Sequence, residues 1–97
     1  AVGGEVGRFF KPSGPAKPSD RRLKENIEHL GYEHGIPIYS FSYIGESKLY
    51  KGVMAQDILS IKPEAVRVDD NGYMSVHYDM LGIEMELLKE SVGNDNA

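Results

Sequence analysis

From Ile36 to Ile44 the side chains alternate. Pro37, Tyr39, Phe41 and Tyr43 fall on one face, Ile38, Ser40 and Ser42 on the other. A period of two, rich in aromatic residues, predicts a strand with an aromatic face, and core packing is the use expected for that face. Gly45-Glu46-Ser47-Lys48 reads as a turn and Leu49 to Met54 as a returning strand, so the two make a hairpin. Ala55 to Ile61 predicts a short helix that must stop before Pro63. Ala65 to Val68 and Tyr73 to Tyr78 predict a second hairpin around Asp69-Asp70-Asn71-Gly72, which holds the Asn-Gly signal of a tight turn. Met74, Val76 and Tyr78 share one face of its second strand.

The two ends of this pattern are less regular. Leu23, Ile27 and Leu30 sit at helical spacing behind Ser19 or Asp20 as a cap. Leu23, Glu25 and Ile27 equally share one face of a short strand, so both readings stand. After Asp79, a good N-cap, residues 80–91 predict a final helix with two adjacent apolar stripes. Met80, Ile83 and Leu87 form one stripe, and Leu81, Met85 and Leu88 the other. So wide a face suits two contacts, one with the chain's own sheet and one with a copy of itself; the alternative is a helix buried wholly in its own domain. The fold class expected is α+β: a small domain of antiparallel β-hairpins with short helices and a C-terminal helix used for self-association. Residues 93–97 read as a disordered tail.

Composition narrows the picture. Ninety-seven residues, 40% hydrophobic and 9% aromatic, make one small domain with a modest core, and oligomerisation would add burial that a chain of this size lacks. No cysteine is present, which excludes disulfides, thiolate metal sites and cysteine nucleophiles. No apolar run has transmembrane length and no signal-peptide pattern appears. The opening Ala-Val-Gly-Gly is not an initiation site, so the chain reads as a piece of a longer protein. His29, His34 and His77 lack zinc spacing, and Gly3-Gly4 lacks the lysine and helix of a phosphate loop, so neither metal nor cofactor is expected.

The net charge is −4 and unevenly spread. Arg8, Lys11, Lys17, Arg21, Arg22 and Lys24 oppose only Glu5 and Asp20 in the first 24 residues, leaving the remainder strongly acidic. A basic arm raises nucleic-acid binding as an option, but no fold motif for it is visible. The arm is read instead as solvated, or as lying on the acidic body of its own or a neighbouring chain. Residues 1–18, rich in glycine and proline, read as a linker or the end of an upstream segment, with Phe9-Phe10 as a docking element.

The chemistry-bearing stretch follows that linker: Ser19-Asp20-Arg21-Arg22-Leu23-Lys24. A serine at such a boundary is ordinarily a cap or turn residue. A serine near a deprotonatable lysine can also be a nucleophile with its base. Regular geometry opposes the second reading. Five residues apart lie about 140° round a helix and on opposite faces of a strand. A turn at Asp20-Arg21, or a lysine from a neighbouring chain, is required to bring the two together.

Several blocks carry a resemblance: Ser19 to Ile27, Ile36 to Tyr43, Gly52-Val53-Met54-Ala55-Gln56-Asp57, Pro63-Glu64-Ala65-Val66, Gly72-Tyr73 and Val76-His77-Tyr78. In this order and spacing, over about residues 19–90, the chain resembles the C-terminal intramolecular chaperone domain of phage tailspike and tail-fibre proteins. That family is named after the endosialidase chaperone and classed as peptidase S74. The resemblance implies a domain that trimerises, registers three fibre chains during folding, and then cuts itself off before the serine of a Ser-Asp-x-x-x-Lys pattern. Carried to this sequence, the scissile bond is Pro18–Ser19, with Ser19 the nucleophile and Lys24 its partner. Met80, Ile83, Leu87 and Leu88 are the expected trimer interface. The implied layout is a linker over 1–18, a chaperone autoprotease over 19–92 and the tail. Its implied partners are two further copies and the upstream segment, with no nucleic acid and no membrane. The implied setting is the host cytoplasm during virion assembly, the freed domain being left out of the virion. Related domains release a trimeric transcription factor from a membrane, so the resemblance does not fix the biological setting. The alternatives are a non-cleaving trimerisation cap, or a binding module that uses the basic arm. Gln56-Asp57 is expected to set a turn, a helix start or a subunit contact.

Overall fold

The computed structural model describes residues 15–91 of the chain. The expectations for Phe9-Phe10, for the linker up to Gly14 and for the tail lie outside them. The chain runs β1 (Lys17–Pro18), a 3-10 turn (Arg21–Leu23), β2 (Lys24–Glu33), β3 (Ile36–Tyr43), β4 (Leu49–Gly52) and α1 (Ala55–Ile61). A second 3-10 turn (Pro63–Ala65), β5 (Val66–Val68), β6 (Met74–Val76), a third 3-10 turn (Tyr78–Met80) and β7 (Glu86–Lys89) complete it. The strands form two antiparallel sheets, one ordered β1-β6-β5 and the other β2-β3-β4-β7. The architecture is α+β.

The alternating segments fold as their period dictates. β3 and β4 pair with Tyr39 opposite Gly52 and Phe41 opposite Tyr50. β5 and β6 pair with Val68 opposite Met74, around Gly72 at φ 87°, a conformation that suits glycine. Helix α1 packs against β3, β5 and β6 and so ties the sheets together. The core between them comprises Ile36, Ile38, Val53, Ala55, Ile58, Ala65, Val76, Tyr78, Leu81 and Ile83. Full burial of side chains such as Ile58 and Val53 contributes about 2 kcal/mol each. Both faces of β3 are covered: Ile36 and Ile38 enter this core, while Phe41 is buried on the aromatic face against Tyr43 and Tyr50.

Of the two readings that stood for the stretch after Ser19, residues 24–33 take the strand, and one expectation further along the chain is corrected. Asn26 at φ 56° and the register shifts of β2 against β3 break its alternation, which is why the apolar spacing there looked helical. The final helix over 80–91 does not form. The turn at Tyr78–Met80 runs through Leu81 into Gly82 at φ 71°, which turns the chain out of the helical path. Beyond it Glu86–Lys89 pairs with β4, placing Leu87 opposite Tyr50. Ile83-Glu84-Met85-Glu86-Leu87 in fact alternates with period two. The four residues assigned to one interface therefore separate. Ile83 is buried in the chain's own core with Met80 packed against it, whereas Leu87 and Leu88 are exposed on the edge strand.

Candidate functional site

Ser19 lies where β1 runs off its sheet. β1 pairs with β6 as an edge strand, the position a proline tolerates. Beyond it the Ser19 N–H donates to the Met74 carbonyl at 3.1 Å, and the Ser19 carbonyl accepts from the Ala55 N–H at 2.8 Å. The serine backbone is thus fixed to the β6 segment on one side and the start of α1 on the other.

The turn needed to reach Lys24 is built by Asp20. Its carboxylate caps the Arg21–Leu23 turn by accepting from the Arg22 N–H at 2.9 Å. It also accepts from Arg22 Nε and Nη2 at 3.0 and 2.8 Å, from Gln56 Nε2 at 2.9 Å and from the Met74 N–H at 3.0 Å. Gln56 completes the clamp by accepting from the Arg21 N–H at 3.0 Å, so the expected turn-setting role falls to Gln56. The guanidinium of Arg22, with burial opposing and the other donors assisting, holds the Asp20 carboxyl well below the usual carboxylate range. Stability from this group is therefore full above its unfolded pKa of about 3.9 and is lost as the pH falls below it.

Three turn residues between two extended segments reverse the offset that regular geometry imposes on positions 19 and 24. Lys24 enters β2 with its side chain inward and only 5% of its surface exposed. Its Nζ donates to Ser19 Oγ at 3.1 Å and to the Val53 carbonyl at 2.6 Å, and lies 3.9 Å from the centre of the Phe41 ring. The lysine comes from the same chain as the serine. Burial pulls the ammonium pKa down to about 7; the Asp20 charge opposes this and Arg21 adds to it. Ser19 itself is fully buried, with Oγ donating to the Val53 carbonyl at 3.1 Å and lying 3.2 Å from Tyr78 Oη. Tyr78 in turn accepts from the Val53 N–H at 2.9 Å, and burial raises its phenol pKa. Gly52 fits beneath this cluster because a Cβ there would collide with the Tyr78 hydroxyl and crowd the Phe41 ring at 3.2 Å. The carbonyl of Pro18, the group next to the serine nitrogen, accepts from Tyr43 Oη at 2.6 Å.

A buried hydroxyl in hydrogen-bond reach of an amine half deprotonated near neutral pH is the pairing that nucleophilic serine chemistry needs. Pro18, Ser19 and Lys24 are brought together here; Met80, Ile83, Leu87 and Leu88 are not a single surface. Asp20, Tyr43 and Tyr78 escaped the sequence reading as site residues. The available signal was a hydroxyl on two tyrosines at core-facing positions, since a buried phenol calls for a hydrogen-bond partner. Among the described residues no group of histidine and acidic side chains is arranged to hold a metal ion, and no helix is long and apolar enough to cross a membrane.

Asp20→Asn tests the electrostatics directly. Removing the negative charge takes away the support that Asp20 gives the Lys24 ammonium, so its pKa should move below about 7. The weakened charged hydrogen bonds should cost about 3 kcal/mol of stability. Following the Lys24 Cε resonance by NMR against pH checks the first point and denaturant unfolding the second. An unmoved or raised midpoint would contradict the assignment.

No curated protein and no solved structure matched the chain. A family model did: the one described as chaperone of endosialidase, peptidase S74, matches residues 19–67. That span opens at the buried serine and takes in its lysine, the aromatic hairpin and the helix α1. It covers half of the sequence, and the chain belongs to the chaperone-of-endosialidase family, peptidase S74.

Proposed function

We propose that this chain is an intramolecular chaperone that assembles and registers an upstream fibre as a homotrimer, then frees itself by cutting Pro18–Ser19. The observation that carries the reading is the distance of 3.1 Å between the buried Ser19 Oγ and the buried Lys24 Nζ, next to the Pro18 carbonyl. Neutral Lys24 takes the proton of Ser19 Oγ, which attacks the Pro18 carbonyl carbon. The tetrahedral intermediate collapses by breaking the Pro18–Ser19 C–N bond, and the Lys24 ammonium returns its proton to the departing Ser19 nitrogen. Pro18 is then joined to Ser19 Oγ as an ester. Water, deprotonated by Lys24, hydrolyses that ester to a Pro18 carboxylate and restores the Ser19 hydroxyl. A serine hydroxyl fixed beside the bond it attacks loses little further entropy in reaching it.

Because Ser19 is held by backbone hydrogen bonds to Met74 and Ala55, the site exists only once both sheets and α1 are in place. Cutting is in this way tied to completed folding. The exposed Leu87 and Leu88 on β7 are the part of the expected trimer surface that remains available. Assembly of a virion fibre in the host cytoplasm is the setting proposed.

Deleting residues 19–97 from the gene is expected to leave the upstream segment aggregated or misassembled, read by solubility and sedimentation. Soluble trimeric fibre from the truncated gene would overturn the chaperone part of the reading.

A further inference from the structure

We propose that Tyr43 is a catalytic residue of the self-cleavage, donating the hydrogen bond that stabilises the oxyanion formed on the Pro18 carbonyl oxygen. The proposal rests on the self-cleavage reading and adds to it the group that the Ser19–Lys24 pair lacks. A serine attacking an amide moves the carbonyl π electrons onto oxygen, and donors fixed at that oxygen before the reaction are commonly the largest single source of acceleration.

The ladder of β2 and β3 places Tyr43 directly opposite Lys24. Directly opposed residues project to the same face of a sheet. The amine therefore reaches Ser19 Oγ at 3.1 Å while the phenol reaches the Pro18 oxygen at 2.6 Å. One cross-strand pair thus addresses both reacting groups, the base on the nucleophile and the donor on the electrophile. The phenol is aimed rather than free to swing. Its ring packs edge-on against Phe41 and Tyr50, with centroids 5.4 and 5.5 Å away, and its oxygen also meets Met85 Sδ at 3.5 Å.

Nearby donors have other work. The Val53 N–H is bonded to Tyr78 Oη. The Ser19 N–H is bonded to the Met74 carbonyl, and that nitrogen is the leaving group. Burial raises the Tyr43 pKa far above that of Lys24, so the phenol keeps its proton throughout the range in which the amine becomes a base. No proton need leave Tyr43 at any step: it lends its hydrogen bond to the oxyanion and recovers the neutral carbonyl when the C–N bond breaks.

Tyr43→Phe removes the oxygen and keeps the ring. In the chain carrying its upstream segment, the first-order cleavage rate should fall about 100-fold, with the pH midpoint of the remaining activity still near the wild-type value. A merely structural tyrosine would disturb Lys24 as well and shift that midpoint. A rate within threefold of wild type, or a loss accompanied by a shifted midpoint, would overturn the proposal. Incorporating 3-fluorotyrosine in place of Tyr43 keeps bulk and hydroxyl but makes the phenol more acidic, hence a stronger donor. It should speed cleavage, and an unchanged or slower rate counts against the assignment. Wild-type chain that stays whole would instead overturn the self-cleavage reading, and this proposal with it. Wild type that cuts alongside an equally fast Tyr43→Phe removes only Tyr43.

Discussion

Replacing Ser19 with alanine is expected to stop scission at Pro18–Ser19 while leaving the fold in place. The substitution removes one oxygen from a fully buried position. The groups it leaves behind keep partners: Lys24 Nζ still donates to the Val53 carbonyl at 2.6 Å, and Tyr78 Oη still accepts from the Val53 N–H at 2.9 Å. The lost hydroxyl contacts should therefore cost only about 1–2 kcal/mol of stability. The backbone bonds of residue 19 to Met74 and Ala55 do not depend on the side chain. Removing the nucleophile of a unit that acts together should lower the rate by about 10⁴-fold or more. Intact mass followed over days at pH 8 reads this, with thermal unfolding as the control for the fold. Cutting at anything near the wild-type rate would mean that water attacks the bond without Ser19.

The second large effect belongs to Lys24. With its pKa drawn down to about 7 by burial, the neutral, basic fraction grows as pH rises. Cleavage should fall about tenfold per pH unit below 7 and level off above about 8. Lys24→Arg should abolish it, because a guanidinium stays protonated at any usable pH. The same substitution leaves a charge that cannot be shed in a site walled by the Phe41 ring and the Val53 carbonyl, which should cost about 3 kcal/mol or more. Lys24→Met should be equally silent but well folded. The sign of the linkage separates the two further. The unfolded lysine titrates near 10.4, above the folded value, so between these the unfolded chain binds more protons and wild-type stability rises with pH. Lys24→Met lacks this dependence and should gain on the wild type as pH falls toward 7. Cleavage by Lys24→Arg at the wild-type rate, or a flat pH profile, would rule out lysine as the base.

Much of the fold could be read from residue order because its elements are local. The alternation of Ile36–Tyr43, the stop at Pro63 and the Asn71-Gly72 turn are each decided within a few residues. The pairing of Ser19 with Lys24 could be suspected from spacing and resemblance, but its geometry could not. It depends on Asp20 holding a three-residue turn with help from Gln56 and the Met74 N–H, partners more than 35 positions away in the chain. The C-terminal stretch misled because Met80, Ile83 and Leu87 fit a helical period, while Ile83, Met85 and Leu87 fit a strand equally well. Gly82 at φ 71° decides between them. Tyr43 was legible as part of an aromatic face. That its hydroxyl would meet Pro18 followed only from the registers of β1 on β6 and of β2 on β3.

The central claim is that this domain cuts its own chain before Ser19. It is tested most directly by the intact mass and N-terminal sequence of the freshly folded, assembled wild-type protein at pH 8. Two pieces are predicted, the C-terminal one beginning Ser-Asp-Arg-Arg-Leu-Lys. A stable assembly in which all 97 residues remain one unbroken chain would contradict it.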